Sequence, residues 1–253
     1  MSYGRKGHPA WETLRKYRYA HRGYHDKPSV PENSMPAFER AIERGWGAEL
    51  DVHLLKDGGL AVFHDSDLKR CTGEKGFIED LNSAELSKLR LEGTNERVPM
   101  LNEVLEIFRG RAPLIIELKC FRENHTALAE AVCKCLDGYW GDFCVESFDP
   151  RAVREIRFLR PYICRGQLAC NFFRMDETML LWQRFALTNL LFNAVTVPDF
   201  VAYRFEDRQD RSIRRCAASG IQEINWTVRS KADMALCEAD GALVIFECFD
   251  PDE

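Results

Sequence analysis

The chain contains no run of about eighteen apolar residues, the length a membrane-spanning helix requires. Met1 to Lys16 is too polar for a secretory signal, so a cytoplasmic protein without a transmembrane segment is expected. No basic stretch interrupts the mixture of signs, and the net charge of −5 argues against nucleic acid as a partner. Zinc-type cysteine spacing is also missing: among ten cysteines, Cys133-x-Cys135 is the nearest approach to it. Scattered thiols without an export signal read as small buried hydrophobes in a reducing compartment. Linkers and repeats are lacking too, so residues 1–253 are read as one domain, and a hydrophobic content of 45% is enough for a full core.

Two phrases carry chemistry: His21-Arg22-Gly23, and Glu49-Leu50-Asp51 leading on to His64-Asp65. They supply imidazoles, a guanidinium and carboxylates, the groups needed to split a phosphodiester with a divalent cation. Asp57-Gly58 signals a tight hairpin. With Lys56 opposite Gly59, Asp51 falls opposite His64, and Glu49 projects from the same face. Taken singly, each phrase reads as a solvated strand face or a surface turn; both occur at the ends of strand-like runs, Tyr17 to Ala20 and Leu60 to Phe63. A third carboxylate, Glu117, lies in the strand-like run Leu114 to Lys119, where its charge requires a partner. Either Lys119 on the same face or a cation shared with other carboxylates would serve.

Strand-like runs near Tyr17, Ala48, Leu114, Phe143, Ile163, Ala194, Ile221 and Ala242 make eight, with helical periodicity between most of them. Leu101, Val104, Leu105 and Phe108 mark one helix, with Gly110 at its C-terminal cap. Ser34 or Asn33 caps another, which begins with Pro36 and ends at Gly45, and Ser230 with Asp233 resembles a cap before the last. Eight alternations favour a (β/α)8 TIM barrel. The segment of about residues 66–98 breaks the alternation, with only a short helix around Ala84 to Leu89, and is expected to be a small insertion on the catalytic face. The apolar stretch from Met179 to Phe192 is read as an outer barrel helix, with a dimer or lipid contact as the alternative.

His21-Arg22-Gly23, Pro31-Glu32-Asn33-Ser34, Glu49-Leu50-Asp51-Val52, His64-Asp65, Arg70, Thr72, Val98-Pro99-Met100-Leu101 and Ile116-Glu117-Leu118-Lys119 together resemble the glycerophosphodiester phosphodiesterase family. The resemblance implies a (β/α)8 barrel with one divalent cation, usually Ca2+ or Mg2+, with Mn2+ a further candidate. It implies hydrolysis of a small-molecule glycerophosphodiester to glycerol 3-phosphate and an alcohol, through a cyclic phosphate formed by the substrate's own hydroxyl. Matching positions make Glu49, Asp51 and Glu117 the metal ligands and His21 and His64 the acid and base pair, with Arg22 and Lys119 on the phosphoryl oxygens. His21 and Arg22 are then expected to face the hairpin across a cleft. Phe148 fits a family position in the second half of the chain, and Trp226 reads either as core packing or as one wall of the substrate pocket.

The second half departs from the family pattern. Arg229 stands where asparagine is usual, and the ending after Asp240-Gly241 lacks the usual threonine-aspartate-proline. These departures motivate a barrel that binds glycerophosphodiesters without turnover as an alternative; a second enzyme reading is a lysophospholipase D, in which the same site receives a lysolipid.

Overall fold

The computed structural model describes residues 4–175 and 179–253. Among these residues nine strands form one sheet: β1 Tyr19–Ala20, β2 Gly47–Leu54, β3 Leu60–Val62, β4 Leu114–Leu118, β5 Phe143–Ser147, β6 Arg165–Ala169, β7 Phe200–Arg204, β8 Gln222–Val228 and β9 Leu243–Phe246. Eight are parallel and close on themselves, because β1 pairs with both β2 and β9. Helices occupy the connections, which makes a (β/α)8 barrel. Among the described residues no helix is long and apolar enough to cross a membrane.

Alternation along each strand sorts the side chains into layers. Ala48, Leu50 and Val52 of β2 and Leu114, Ile116 and Leu118 of β4 pack outward in one cluster with Phe38, Val104, Leu105 and Phe108 of the surrounding helices. Inside the barrel Tyr19, Ile115, Cys144, Leu168, Phe200, Ile224 and Ile245, from seven strands, meet Trp11 and Leu14 of the helix Trp11–Leu14. That short helix plugs the end where the strands begin, and Tyr19 donates its hydroxyl hydrogen to the Leu14 carbonyl. Apolar interior layers therefore fill the lower barrel. The opposite end, where the strands finish, is left for polar groups.

Ser34 is the observed N-cap of the helix Met35–Glu43, accepting from the Ala37 amide, and Ser230 caps Lys231–Ala239 by accepting from Asp233. The helix Leu101–Phe108 ends as expected, although Arg109 adopts the left-handed conformation before Gly110 does. Seven of the ten cysteines are buried and none is in a disulfide.

Four local expectations are corrected. Asp57-Gly58 does not form a two-residue turn: Leu55 N–H bonds the Gly59 carbonyl, Gly58 N–H bonds Leu55, and Gly58 has φ +86°. The extra loop residue, absorbed by the left-handed glycine, shifts the register by one, so Asp51 lies opposite Phe63 instead of His64. The seventh strand begins at Phe200, because Pro198 punctuates the apolar run and Ala194 lies in the short helix Asn193–Thr196. The sixth begins at Arg165, since the chain is still turning through the Ile163 to Arg160 hydrogen bond. Finally, residues 66–98 contain the helices Lys69–Thr72 and Ser83–Leu86 and a 3-10 turn at Ile78–Asp80. Leu68, Ile78, Leu86, Leu91 and Val98 form a core of their own there, against Leu55 and Phe63 of the hairpin.

Candidate active site

The turn after β1 presents the first phrase. Arg22 (φ 55°) and Gly23 (φ 77°) are both left-handed, and a Cβ on Gly23 would lie 2.8 Å from the Ala37 carbonyl carbon. Only glycine tolerates that approach. The turn aims the Arg22 backbone N–H at Glu49 Oε2, 3.1 Å away, and places His21 Nε2 3.8 Å from the same oxygen. Because β1 and β2 are paired neighbours, His21 stands directly beside the carboxylates.

Glu49 and Asp51 share the inward face of β2, and the parallel register puts Glu117 of β4 directly beside Asp51. One oxygen from each of the three lies within 4.8 Å of the others, and all three residues are buried. Lys119 Nζ is 2.9 Å from both Asp51 Oδ1 and Glu117 Oε1, so the ion pair considered from sequence coexists with the cluster. Asn33 donates to Asp51 Oδ2 at 2.8 Å, and Arg22 Nε approaches that oxygen to 3.5 Å. Burial and the neighbouring carboxylates push Glu49 well above the usual range. Burial also raises Glu117, with Asp51 adding to it and Lys119 opposing. For Asp51 burial is outweighed by Lys119, His64, Arg22 and Asn33, and it stays ionised. Three crowded, buried carboxylates, for two of which burial and a neighbouring carboxylate disfavour ionisation, are a donor set that fits a hard divalent cation.

Each imidazole is anchored at Nδ1 by a carboxylate. His21 Nδ1 lies 2.6 Å from Glu247 Oε2, 226 residues away in sequence, and His64 Nδ1 lies 2.5 Å from Asp65 Oδ1. A carboxylate only accepts, so Nδ1 of His21 carries the hydrogen and Nε2 faces the cluster. Burial lowers the His21 pKa to about 4; the Glu247 hydrogen bond opposes this and Arg22 adds to it. Both anchors are held from behind by arginines. Arg229 contacts Glu247 Oε1 through Nε at 2.8 Å and Nη2 at 2.7 Å, while Arg70 bonds both Asp65 and Glu32. Glu32 also accepts from Arg22 at 2.8 Å, tying the insertion to the first turn. His53, buried on β2, spans Glu79 and the His64 carbonyl.

Every residue singled out for the site thus converges on the strand ends, with Phe148 and Trp226 set somewhat apart. These two rings meet edge to face at 5.5 Å and line a cavity that also includes His64 and Lys119. Glu247 was not singled out from sequence, although it continues the inward alternation Leu243, Ile245, Glu247. Glu146 was also missed: it pairs in register with Glu117, is buried, and burial with Glu117 pushes its carboxyl well up. The two departures from the family pattern, Arg229 and the altered ending, meet in the Arg229–Glu247 ion pair. Glu247→Gln is expected to lower kcat by about 10–100-fold, as for loss of an outer partner that orients a histidine. It should also move the acid limb of the kcat/KM profile to lower pH, because the lost hydrogen bond raised the His21 pKa. An unchanged profile would show that Glu247 does not orient the imidazole.

The barrel and its polar mouth define a TIM-barrel enzyme, with the site where the strands end. Residues 21–252 match the model of the Glycerophosphoryl diester phosphodiesterase family, and the chain belongs to that family. It is 31% identical over 226 residues to a glycerophosphodiester phosphodiesterase of Caldanaerobacter subterraneus subsp. tengcongensis, covering 85% of this chain and 86% of the relative. A Bacillus altitudinis glycerophosphodiester phosphodiesterase is 42% identical over 156 residues, covering 57% and 63%. The fold matches an Oleispira antarctica phosphodiesterase solved with the product sn-glycerol-3-phosphate, with a TM-score of 0.78 and 22% identity over 96% of this chain and 95% of that one. The reaction of the chain is accordingly hydrolysis of glycerophosphodiesters.

Proposed function

We propose that hydrolysis releases glycerol 3-phosphate and an alcohol, depends on one divalent cation at Glu49, Asp51 and Glu117, and uses His21 and His64 as base and acid. The observation that carries this reading is the pair of carboxylate-anchored imidazoles flanking three buried carboxylates on adjacent strands. Ca2+, Mg2+ or Mn2+, when bound, would supply the positive charge that phosphoryl transfer requires.

His21 is neutral at pH 7, because its pKa of about 4 is far below that pH, and Nε2 is free to take a proton. It removes the proton from the substrate's glycerol hydroxyl as that oxygen attacks phosphorus. His64, the more exposed imidazole, protonates the departing alkoxide. Water then opens the cyclic phosphate with the two roles exchanged. Arg22 and Lys119 flank Asp51 and are placed to hold phosphoryl oxygens. Phe148 and Trp226 wall the substrate side.

Chelator is expected to abolish release of glycerol 3-phosphate from glycerophosphocholine or glycerophosphoethanolamine, and added Ca2+, Mg2+ or Mn2+ to restore it. Undiminished turnover by protein shown to be metal-free would overturn the metal assignment. Product release with no cation effect and no loss in His21→Ala would overturn the whole mechanism.

A further inference from the structure

Two residues beyond Asp51, on the same face of β2, stands His53, which is 1% exposed. It lines a small cavity of about 230 Å³ together with His64, Glu117 and Lys119. Its ring lies between two acceptors: Glu79 Oε1 is 2.7 Å from Nδ1, and the His64 carbonyl oxygen is 3.1 Å from Nε2. A carbonyl only accepts, so His53 donates to the His64 backbone while Glu79 fixes the far side of the ring. Glu79 belongs to the 3-10 turn Ile78–Asp80 of the insertion, and it also accepts from the Ser66 hydroxyl at 2.8 Å. The Ile78 N–H bonds the Ser66 carbonyl, and Arg70 bonds Asp65. Residues 64–66, which follow the end of β3, are thereby held by the insertion and by β2.

We propose that His53 and Glu79 are positioning residues for His64, setting where its imidazole delivers a proton to the leaving alkoxide. This role rests on the acid function proposed for His64 above. The proton passes to the alkoxide oxygen as the bond from that oxygen to phosphorus breaks, and the acid must then lie within about 2.6–3.2 Å of it. A misplacement of about 1 Å can cost about a hundredfold. Asp65 fixes the rotation of the His64 ring through Nδ1, but it is the next residue of the same loop and moves with it. His53 is anchored on the strand that carries Glu49 and Asp51, so its bond to the His64 carbonyl ties the loop to the strand of the carboxylates. Glu79 holds the His53 ring in the orientation that makes this bond. Burying an imidazole and a carboxylate for one backbone carbonyl costs desolvation, and the packing of the insertion does not require it, because Leu68, Ile78, Leu86 and Leu91 form an apolar core. The insertion thus takes part in aligning the acid.

The test uses the leaving group to separate proton delivery from general damage. Choline leaves glycerophosphocholine as an alkoxide that requires a proton, whereas nitrophenolate leaves the para-nitrophenyl ester of glycerol phosphate without one. Single-turnover release of each is followed with the activating cation, so that only the first bond-breaking step is read. His53→Leu is expected to slow choline release by about 10–100-fold and to leave nitrophenolate release nearly unchanged. His53→Gln keeps an N–H donor for the His64 carbonyl and should recover part of the rate. Glu79→Ala leaves β2 untouched, should show the same selective loss, and decides the matter if His53→Leu does not fold. His64→Ala is the reference, with choline release falling and nitrophenolate release spared. Equal loss on both esters in His64→Ala overturns the acid role itself. A selective loss in His64→Ala, with the folded His53 and Glu79 variants slowing both esters equally or neither, overturns the positioning role and leaves the acid role standing.

Discussion

His21→Ala is expected to lower kcat by about 10²–10⁴-fold, the range for removal of a positioned general base. The side chain is 13% exposed and lies at the barrel mouth, so the variant should stay folded and retain the cation, which a thermal melt with and without the cation reads directly. Wild-type kcat/KM should fall on the acid side as Nε2 becomes protonated. Because burial lowers the pKa to about 4, that limb belongs well below the ordinary histidine value near 6.5. Full activity in His21→Ala, or an acid limb at or above 6.5 in the wild type, would remove this residue from the role of base.

The second large effect concerns the carboxylate cluster. Glu117→Gln keeps the shape of the side chain and deletes one charge from a site where burial and Asp51 raise the carboxyl pKa. A raised folded-state pKa means that the folded protein binds the proton more tightly than the unfolded chain. The stabilisation from that proton is fully present below the unfolded pKa and is lost as pH rises through the folded one. Above that folded-state pKa the ionised Glu117 therefore weighs against the metal-free fold, and Gln should raise its melting temperature there. The same change should cut turnover at least about a hundredfold, beyond the loss typical of an outer-sphere partner. It should also remove the cation-induced stabilisation, about 2.7 kcal/mol in wild type at a hundredfold excess over Kd. An equal cation-induced shift in both proteins would exclude Glu117 as a ligand.

The site residues were legible because motif spacing and strand alternation are local. Glu49 and Asp51 share a face whatever the rest of the chain does, and the inward position of Glu117 follows from the same period of two. The position of His64 was less secure. Its register was counted through a two-residue turn, whereas Gly58 accommodates a three-residue loop and slips the strand by one. His64 nevertheless reaches the site, because it lies beyond the end of β3, where the strand parity no longer binds it; Asp65 holds its ring and His53 its carbonyl. The displaced sixth and seventh strands have a related cause: apolar runs around Ile163 and Ala194 pack in turns and a short helix as readily as in a sheet, and hydrophobicity alone does not separate them.

The chain by itself determined the set of reacting groups, the face on which each strand presents them and the number of βα repeats, since these depend on spacings of a few residues. Tertiary structure alone decided which carboxylate holds His21. Glu247 meets His21 only because β9 pairs with β1 and closes the barrel, and Arg229 meets Glu247 across the ends of β8 and β9. It also decided that Met179, Trp182, Leu187 and Phe192 of the apolar stretch line the cavity that includes His64 and Lys119. Contacts between groups so distant in sequence have no local signature, because they arise when closure of the sheet brings the strand ends together.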